Sequence, residues 1–380
     1  MNSQERELFW NTLVSLPGED IQAEYQKLFN TIKLPKYLYR YRPVNMKSLE
    51  ALRTNRLYFS SANYYDDPFD TFLHINIDAI KREYITAFQS RESTEQVVEG
   101  VKNLLAKIAT EEQLAQITVD NVLQALENGL IENFLNSALA MRDEIKKDVW
   151  SVCFSENGFN EALWLKYADQ HKGFALIYDL EKSENLLCGK QSKCQDCGIT
   201  KYGTPLYPMY YSDTPYDATN FAKLVMLRKI REMTGSEIPP ELYQGMVNGV
   251  WEKERITLIK KECHKYDEEW RMITGCNMNA PVLREWIPCG IILGLRMDKT
   301  EENLVISMAR EAGIEKIYKS FIDSQNRLNA LPIDSFEPQK AQTRRKHEKK
   351  TKKTRKIHAI LRIFRPNRGQ IIGRKQPVDL

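Results

Sequence analysis

Tyr266-Asp267-Glu268-Glu269-Trp270-Arg271 leads directly into Met272-Ile273-Thr274, so that acidic residues stand at the start of an apolar run. In a strand, successive side chains alternate between faces, which places Glu269 and Arg271 together on one face. Similar strand-like runs occur at 37–42, 56–60, 71–77, 149–154, 174–178, 283–287, 290–295 and 316–321. These runs do not alternate regularly with helices, as the strands of a doubly wound sheet would. We therefore predict an α+β fold with a mixed or antiparallel central sheet and flanking helices.

Helical patterns fill the segments between these strands. Residues 1–35 predict short N-terminal helices, and in 78–147 apolar residues recur at three- and four-residue steps, which indicates an all-helical insertion. The α+β core is therefore predicted over 36–333. The remaining segment, 334–380, is a basic tail with little to bury, and we expect it to be disordered on its own.

Charge is distributed unevenly along the chain, although the formal net charge is only +4. Residues 340–380 contain 15 Lys and Arg against two acidic residues, so the rest of the chain is acidic. Cationic segments bind nucleic acid through release of counterions. Nucleic acid is therefore one expected partner of the tail, while an anionic membrane, an acidic protein or plain solvation stay open as alternatives.

Composition favours a cytoplasmic protein. No apolar stretch approaches the roughly 20 residues that cross a bilayer, and the N-terminus lacks the apolar core of a secretory signal. The seven cysteines are an odd number in a Lys- and Glu-rich chain, which fits a reducing compartment. Cys188, Cys194 and Cys197 contain one Cys-x-x-Cys pair, whereas structural zinc usually takes two compact pairs. We predict no metal ligand and leave zinc binding by these cysteines, and the oligomeric state, open.

Two arginines mark the first predicted strand, Tyr39-Arg40-Tyr41-Arg42. Alternation sends Arg40 and Arg42 to one side and the tyrosines to the other. Guanidinium groups bind pyrophosphate and carboxylate bidentately, so both arginines are candidate ligand-binding residues. A charged strand face paired with nearby acids is the plain alternative.

Three carboxylates lie within the segment Asp66-Asp67-Pro68-Phe69-Asp70. The simplest interpretation is a turn, because Asp side chains bond to local backbone and Pro68 keeps Asp67 out of the helical region. The alternative is that Asp66, Asp67 and Asp70 hold Mg²⁺, as in a nuclease.

An aromatic segment follows the predicted strand that ends in Cys153-Phe154-Ser155. On a helix over 160–170, Trp164, Tyr167 and His171 share one face. The rings would stack on a planar ligand and His171 would contact its polar edge, in the charged form that a helix C-terminus favours. An aromatic face packed against the sheet is the alternative.

These motifs, taken in order, resemble those of a widespread bacterial family of unknown function. Its YKYR-like strand, NDPFD turn, CFS strand, W-x-x-Y-A-x-x-H-x-G helix end and Y-x-x-EWR strand correspond here to YRYR, DDPFD, CFS, WLKYADQHKG and YDEEWR. Asp66 stands where the family usually has Asn. The resemblance covers residues 37–295, and the helical segment at 78–147 and the basic tail are additions in this chain.

The order of the motifs is also similar to that of the ADP-ribosyltransferases. This resemblance implies that Arg40 or Arg42 holds NAD and that Ser60 or Ser61 supports the nicotinamide ribose. It also implies that Glu269 promotes transfer. Stabilising the oxocarbenium-like centre formed when nicotinamide leaves is a task suited to a fixed carboxylate.

Five further residues are candidates for the same predicted site. Tyr65 or Trp164 would stack on the nicotinamide, with Tyr167 and Arg271 as further ligand contacts and His171 as a further catalytic group.

Three functions follow from these motifs. The first is an NAD-using transferase-like or glycohydrolase-like effector, with a role in phage defence or toxicity implied by family resemblance. The second is a Mg²⁺-dependent nuclease that uses Asp66, Asp67, Asp70 and Glu269 as metal ligands and the tail to hold nucleic acid. The third is a non-catalytic module that binds a nucleotide or nucleic acid. All three require the distant motifs to meet in one cleft.

Overall fold

A mixed, mostly antiparallel sheet lies at the centre of the structure, a computed structural model that describes residues 1–87, 89–106, 109–182, 206–234, 249–275 and 283–335. The chain divides into two units, Met1–Asn329 and Ala330–Leu380. The sheet and the site described below belong to the first unit. The predictions for Cys188, Cys194 and Cys197 and for the tail beyond residue 335 fall outside the described residues.

The described elements are short strands separated by helices of varied length. The helices are α1 Ser3–Ser15, α2 Ile21–Phe29, α3 Met46–Arg53, α4 Ile77–Ala87, α5 Arg91–Leu105, α6 Glu111–Ala115, α7 Val119–Glu127, α8 Leu130–Asp148, α9 Glu161–Tyr167, α10 Thr219–Thr234, α11 Glu252–Thr257 and α12 Lys299–Glu311. The strands are β1 Tyr37–Arg42, β2 Arg56–Tyr58, β3 Ser60–Ser61, β4 Val149–Ser155, β5 Phe174–Asp179, β6 Leu206–Pro208, β7 Tyr210–Tyr211, β8 Ile259–Lys260, β9 Glu269–Gly275, β10 Leu283–Glu285, β11 Gly290–Leu293, β12 Ile317–Ile322 and β13 Leu328–Pro332.

The main sheet runs in the order β12-β11-β5-β1-β4-β9-β6, with β3 also paired to β4. The β11–β12 pair is parallel, whereas β1, β5, β4, β9 and β6 pair antiparallel with their neighbours. Two small sheets, β2 with β10 and β7 with β8, lie outside this order. Helices α4 to α8 fill the predicted insertion. The predicted α+β class, with its mixed sheet, flanking helices and helical insertion, is confirmed.

The strand predicted at 71–77 is wrong. His74 makes one isolated bridge with Asp217, and α4 already begins at Ile77. Thr71 has a φ of 51°, a left-handed conformation that turns the chain immediately after the Asp-rich segment. The alternating apolar residues Leu73 and Ile75 enter the hydrophobic core and do not pair in the sheet.

The N-terminal helices pack into the same core as the helical insertion. Phe9 and Leu13 of α1 join Met141 and Ile145 of α8 in one buried apolar cluster. Burial of such large side chains is worth about 1.5–3 kcal/mol each. Among the described helices, none has both the length and the apolar character needed to cross a membrane.

A buried guanidinium fixes the end of α1. Arg255 of α11 donates through Nη2 to the carbonyl oxygens of Leu13 and Leu16, at 3.1 and 2.5 Å, and through Nη1 to Glu252 at 2.5 Å. The last carbonyls of a helix have no intrahelical donor and carry partial negative charge. Arg255 therefore satisfies the end of α1 and attaches this helix to α11.

Glu254, the residue before Arg255, has a carboxyl group that is not fully satisfied by hydrogen bonds. Its Oε2 is buried without a hydrogen bond among the described residues. Burial raises the pKa of Glu254 to about 7, from an ordinary 4.5. A carboxyl group whose pKa is raised by folding stabilises the folded state while it is protonated, and this contribution is lost as the pH rises through the folded value.

We expect Glu254→Gln to stabilise the protein at about pH 8 by on the order of 1–2 kcal/mol, and to change stability little at about pH 5. The amide cannot ionise, so it avoids the cost of a buried charge. Chemical denaturation at both pH values measures the difference. Glu50→Gln, which alters an exposed carboxylate of α3, is the control. A stabilisation that is equal at both pH values would contradict the assignment.

Candidate functional site

One cavity of about 230 Å³ gathers most of the predicted site residues. The candidates that line it are Arg40, Arg42, Ser60, Tyr65, Asp66, Asp67, Asp70, Tyr167, Glu269 and Arg271. Three others, Ser61, Trp164 and His171, do not line it. Motifs separated by more than two hundred residues along the chain therefore meet at one place.

Strand register explains this convergence. Tyr39 of β1 pairs with Ser155 of β4, and Ser155 pairs with Glu269 of β9, so the first, middle and last motifs lie side by side. Within the described sheet, Tyr39 is the single β1 residue in register with β4, although β4 pairs with β9 at seven positions. Beyond Tyr39, β1 therefore separates from β4 while it stays paired with β5. The segment containing Arg40 and Arg42 borders the opening.

A bidentate ion pair forms the floor of the cavity. Arg271 is 1% exposed and contacts Asp70 through Nη1–Oδ1 at 2.7 Å and Nη2–Oδ2 at 2.5 Å. Its Nε donates to Glu269 Oε1 at 2.6 Å, and Nη1 also donates to the Thr257 carbonyl at 2.9 Å. The predicted shared face of Glu269 and Arg271 is therefore present, and both side chains are buried.

Lys260 of β8 completes the cluster. Its Nζ lies 2.9 Å from Glu269 Oε2, 3.5 Å from Asp267 Oδ2 and 3.7 Å from Asp70 Oδ2. Burial by itself lowers the pKa of Lys260, but the Glu269 and Asp70 carboxylates outweigh it and raise the pKa. We call Asp70, Lys260, Glu269 and Arg271 the buried charge cluster. Lys260 was not predicted as a site residue, because a lysine in a two-residue strand has no local signal that marks it.

This cluster favours the ionised form of Glu269. Burial by itself would raise the pKa of Glu269, but the Arg271 and Lys260 cations outweigh it and hold the pKa well below its usual range. A carboxyl group in this state cannot donate a proton near neutral pH. It can stabilise a positive charge that develops beside it.

Arg40 and Arg42 contrast with Arg271. Neither has an acidic ion-pair partner among the described residues, and the side-chain hydrogen bond of Arg40 runs from Nη2 to the Tyr58 carbonyl at 3.3 Å. Burial, and then the neighbouring Arg40, lowers the pKa of Arg42 to about 10. Burial likewise lowers the pKa of Arg40. Half-buried guanidinium groups without counterions are suited to an anionic ligand that enters the cavity.

The aromatic segment departs from its prediction. Helix α9 ends at Tyr167, and Asp169, Gln170 and His171 all have positive φ, so the helix predicted over 160–170 is too long. These left-handed residues turn His171 back onto Trp164, with which it stacks at a centroid distance of 5.9 Å. His171 therefore does not share the cavity side of Tyr167.

Trp164 and His171 are structural residues outside the cavity lining. Trp164 is fully buried, donates through Nε1 to the Gly158 carbonyl at 3.0 Å, and packs edge-on against Tyr41. It has no free face for a ligand. Burial lowers the pKa of His171, which opposes the charged imidazolium that was expected. The helix dipole does not oppose this effect, because the helix ends four residues earlier.

The two serines also take different places. Ser60 is exposed and lines the cavity, whereas Ser61 is buried and its Oγ donates to the Lys146 carbonyl at 2.9 Å. Tyr65 lines the cavity, with its ring 5.4 Å from the Arg271 guanidinium and its hydroxyl hydrogen-bonded to Ser151. Tyr65 therefore supports the buried charge cluster from one side.

The carboxylates do not fit a divalent metal ion. Asp70 is engaged by Arg271, and Asp67 Oδ2 lies 3.2 Å from His264 Nε2. His264 Nδ1 also lies 3.4 Å from Asp267 Oδ2. Over the described ranges no group of three or more His, Cys, Asp or Glu side chains is arranged to hold a metal. Mg²⁺ would have to compete with cations that already occupy these oxygens. Asp267 was not predicted from sequence as a site residue.

Comparison of the chain with protein-family profiles, curated proteins and solved structures found no match. The family resemblance of the motifs therefore stays a prediction.

We expect Asp70→Ala to destabilise the protein by about 3–5 kcal/mol, because it removes the bidentate partner of the buried Arg271 charge and leaves Glu269 as its single acidic partner among the described residues. Glu50→Ala removes the exposed partner of Arg53 and should cost at most about 1 kcal/mol. Urea denaturation of both variants measures the contrast. Equal costs for the two variants would show that the cluster does not hold the fold.

We expect inorganic pyrophosphate to raise the melting temperature of the wild type by binding between Arg40 and Arg42. Arg42→Ala should abolish most of this shift. Arg53→Ala, at an exposed arginine of α3, should retain it. Thermal denaturation with increasing pyrophosphate makes the comparison, and an equal shift in all three proteins would place the anion elsewhere.

Proposed function

We propose that this chain binds NAD in the cavity and cleaves the bond between nicotinamide and ribose, passing the ADP-ribosyl group to water or to an acceptor. One observation carries the proposal. Arg40, Ser60 and Glu269, which correspond to the motif order of ADP-ribosyltransferases, line the same cavity although they come from β1, β3 and β9. The positive charge of Arg40 and the negative charge of Glu269 also suit their proposed roles.

The arginines supply the binding site for the pyrophosphate. Arg40 and Arg42 carry positive charge without a counterion among the described residues, and burial penalises that charge. A pyrophosphate between them would remove the penalty and accept bidentate hydrogen bonds. Binding energy obtained at this remote group would orient the reacting end of the dinucleotide.

Glu269 supplies the electrostatic stabilisation. When the bond from ribose C1′ to the nicotinamide nitrogen breaks, both electrons leave with nicotinamide, which becomes neutral, and positive charge develops on the ribose. Each Glu269 oxygen accepts one cationic hydrogen bond, from Arg271 or Lys260, and keeps a lone pair for a ribose hydroxyl. Water or an acceptor then bonds to C1′ and loses its proton to solvent. The step involves no change of oxidation state.

The volume of the cavity limits which part of NAD it can enclose. Ligand pockets usually measure about 300–1,000 Å³, and this cavity of about 230 Å³ is smaller. It would enclose the nicotinamide ribose and the adjoining phosphate and leave the adenosine outside. Ser60, exposed on β3, would contact the ribose at the entrance.

The rival functions have less support. A Mg²⁺-dependent nuclease needs free carboxylates, whereas Asp70 and Glu269 are paired with cations. A non-catalytic nucleotide-binding module would use the same two arginines and would differ by lacking turnover. A cytoplasmic effector role in phage defence or toxicity rests on the resemblance of the motifs alone.

We expect the purified protein to release nicotinamide from NAD, measured by chromatography, and Glu269→Gln to reduce the rate by about 100-fold or more. The amide keeps the shape of the side chain and removes its charge. Because the substitution also perturbs the buried charge cluster, circular dichroism must show that the variant is folded.

Arg40→Ala should raise KM for NAD more than it lowers kcat, whereas Arg53→Ala should change neither. Stable NAD in the presence of wild type and of cell extract would refute the proposal. Pyrophosphate binding without turnover would favour the non-catalytic module.

A further inference from the structure

Four exposed aromatic rings belong to segments that line the cavity. Tyr64 is 78% exposed, Tyr266 72%, Phe69 56% and Tyr167 38%. Tyr64 and Tyr167 line the cavity directly. Phe69 belongs to the Asp-rich turn whose carboxylates line it, and Tyr266 directly precedes a lining residue, Asp267. We call these four rings the aromatic rim. None serves the chemistry proposed above, and apolar rings in solvent around a cleft commonly mark a binding surface.

Lysine ammonium groups accompany three of these rings. The distances from Nζ to the ring centroid are 3.7 Å for Lys261 and Phe69, 4.9 Å for Lys166 and Tyr167, and 5.6 Å for Lys265 and Tyr266. Three of the four rings therefore have a lysine ammonium group beside them.

Two of the carboxylates that line the cavity, Asp67 and Asp267, have side-chain partners among the described residues. Asp67 and Asp267 contact His264, and Asp267 also contacts Lys260. Lys265 shares its charge with Glu262 at 3.8 Å, whereas Lys261 has no acidic partner in the part of the chain that is described. Lys261 thus presents available positive charge beside Phe69.

We propose that the aromatic rim binds single-stranded nucleic acid and presents one of its nucleotides to the cavity. The inference names a partner for the proposed active site and rests on that function for the role of the bound strand. Unpaired bases stack on aromatic side chains whatever their identity, and lysines along the groove contact the phosphates. A duplex hides its base faces and cannot stack in this way. An apolar protein partner would not need a lysine ammonium group beside three of the four rings.

Fluorescence anisotropy with a labelled single strand of about 12 nucleotides tests the proposal. The double variant Tyr64→Ala, Tyr266→Ala should weaken binding by about tenfold or more, since each base stack lost costs a factor of several. The matched control, Leu304→Ala with Ile322→Ala, truncates two exposed apolar side chains elsewhere and should bind as the wild type does. Lys261→Ala should reduce the dependence on salt between about 50 and 200 mM.

The basic tail is present in every variant, so a second measurement separates its contribution. Ultraviolet cross-linking of a strand containing 5-bromouracil, mapped by mass spectrometry, should label Tyr64, Tyr266 or their neighbours. Unchanged affinity of the tyrosine variant, equal affinity for duplex, or cross-links confined to residues beyond 335 would each overturn the proposal.

Neither assay contains NAD, so the two proposals fail separately. Strand binding at the rim without nicotinamide release would remove the enzymatic function and keep the partner. Nicotinamide release without strand binding would do the reverse and point to water or a protein as acceptor.

Discussion

The ion pair between Asp70 and Arg271, buried in the floor of the cavity, is the interaction on which the other features depend. Two carboxylates and two cations are taken out of water together, and each is stable there only because the others are present. The pair joins the Asp-rich turn to β9, and Lys260 adds β8. Loss of one member would leave its partner charged and unsolvated, so the cluster fixes the positions of the segments around it.

Compensated and uncompensated charges lie within one cavity. Within the buried charge cluster, each charged side chain has an oppositely charged partner, and Glu269 stays ionised. Arg40 and Arg42, in contrast, have no counterion among the described residues. A protein that needed these arginines for stability alone would pair them. Their position beside a fixed carboxylate fits a ligand with an anionic group at one end and a developing cation at the other, which is the charge pattern of NAD when nicotinamide leaves.

The segment that contains Trp164 contributes to the site indirectly, by packing against β1. Trp164 packs against Tyr41 and His171 stacks behind it. A Cβ at Gly173 would overlap the Arg42 carbonyl oxygen, so only glycine permits the turn to pass close to β1. These contacts hold β1, the strand that contains Arg40 and Arg42. They give a structural reason for the spacing between Trp164 and Gly173.

Local periodicity determined part of this picture. The alternation of β9 placed Glu269 and Arg271 on one face, and the lack of regular strand–helix alternation indicated the α+β class, because both depend on backbone geometry over a few residues. Tertiary packing decided the rest. Lys260 reaches Glu269 from another strand, Ser60 and not Ser61 faces the cavity, and left-handed residues turn His171 away. Such contacts depend on which distant segments pack together, and a short stretch of sequence does not determine that packing.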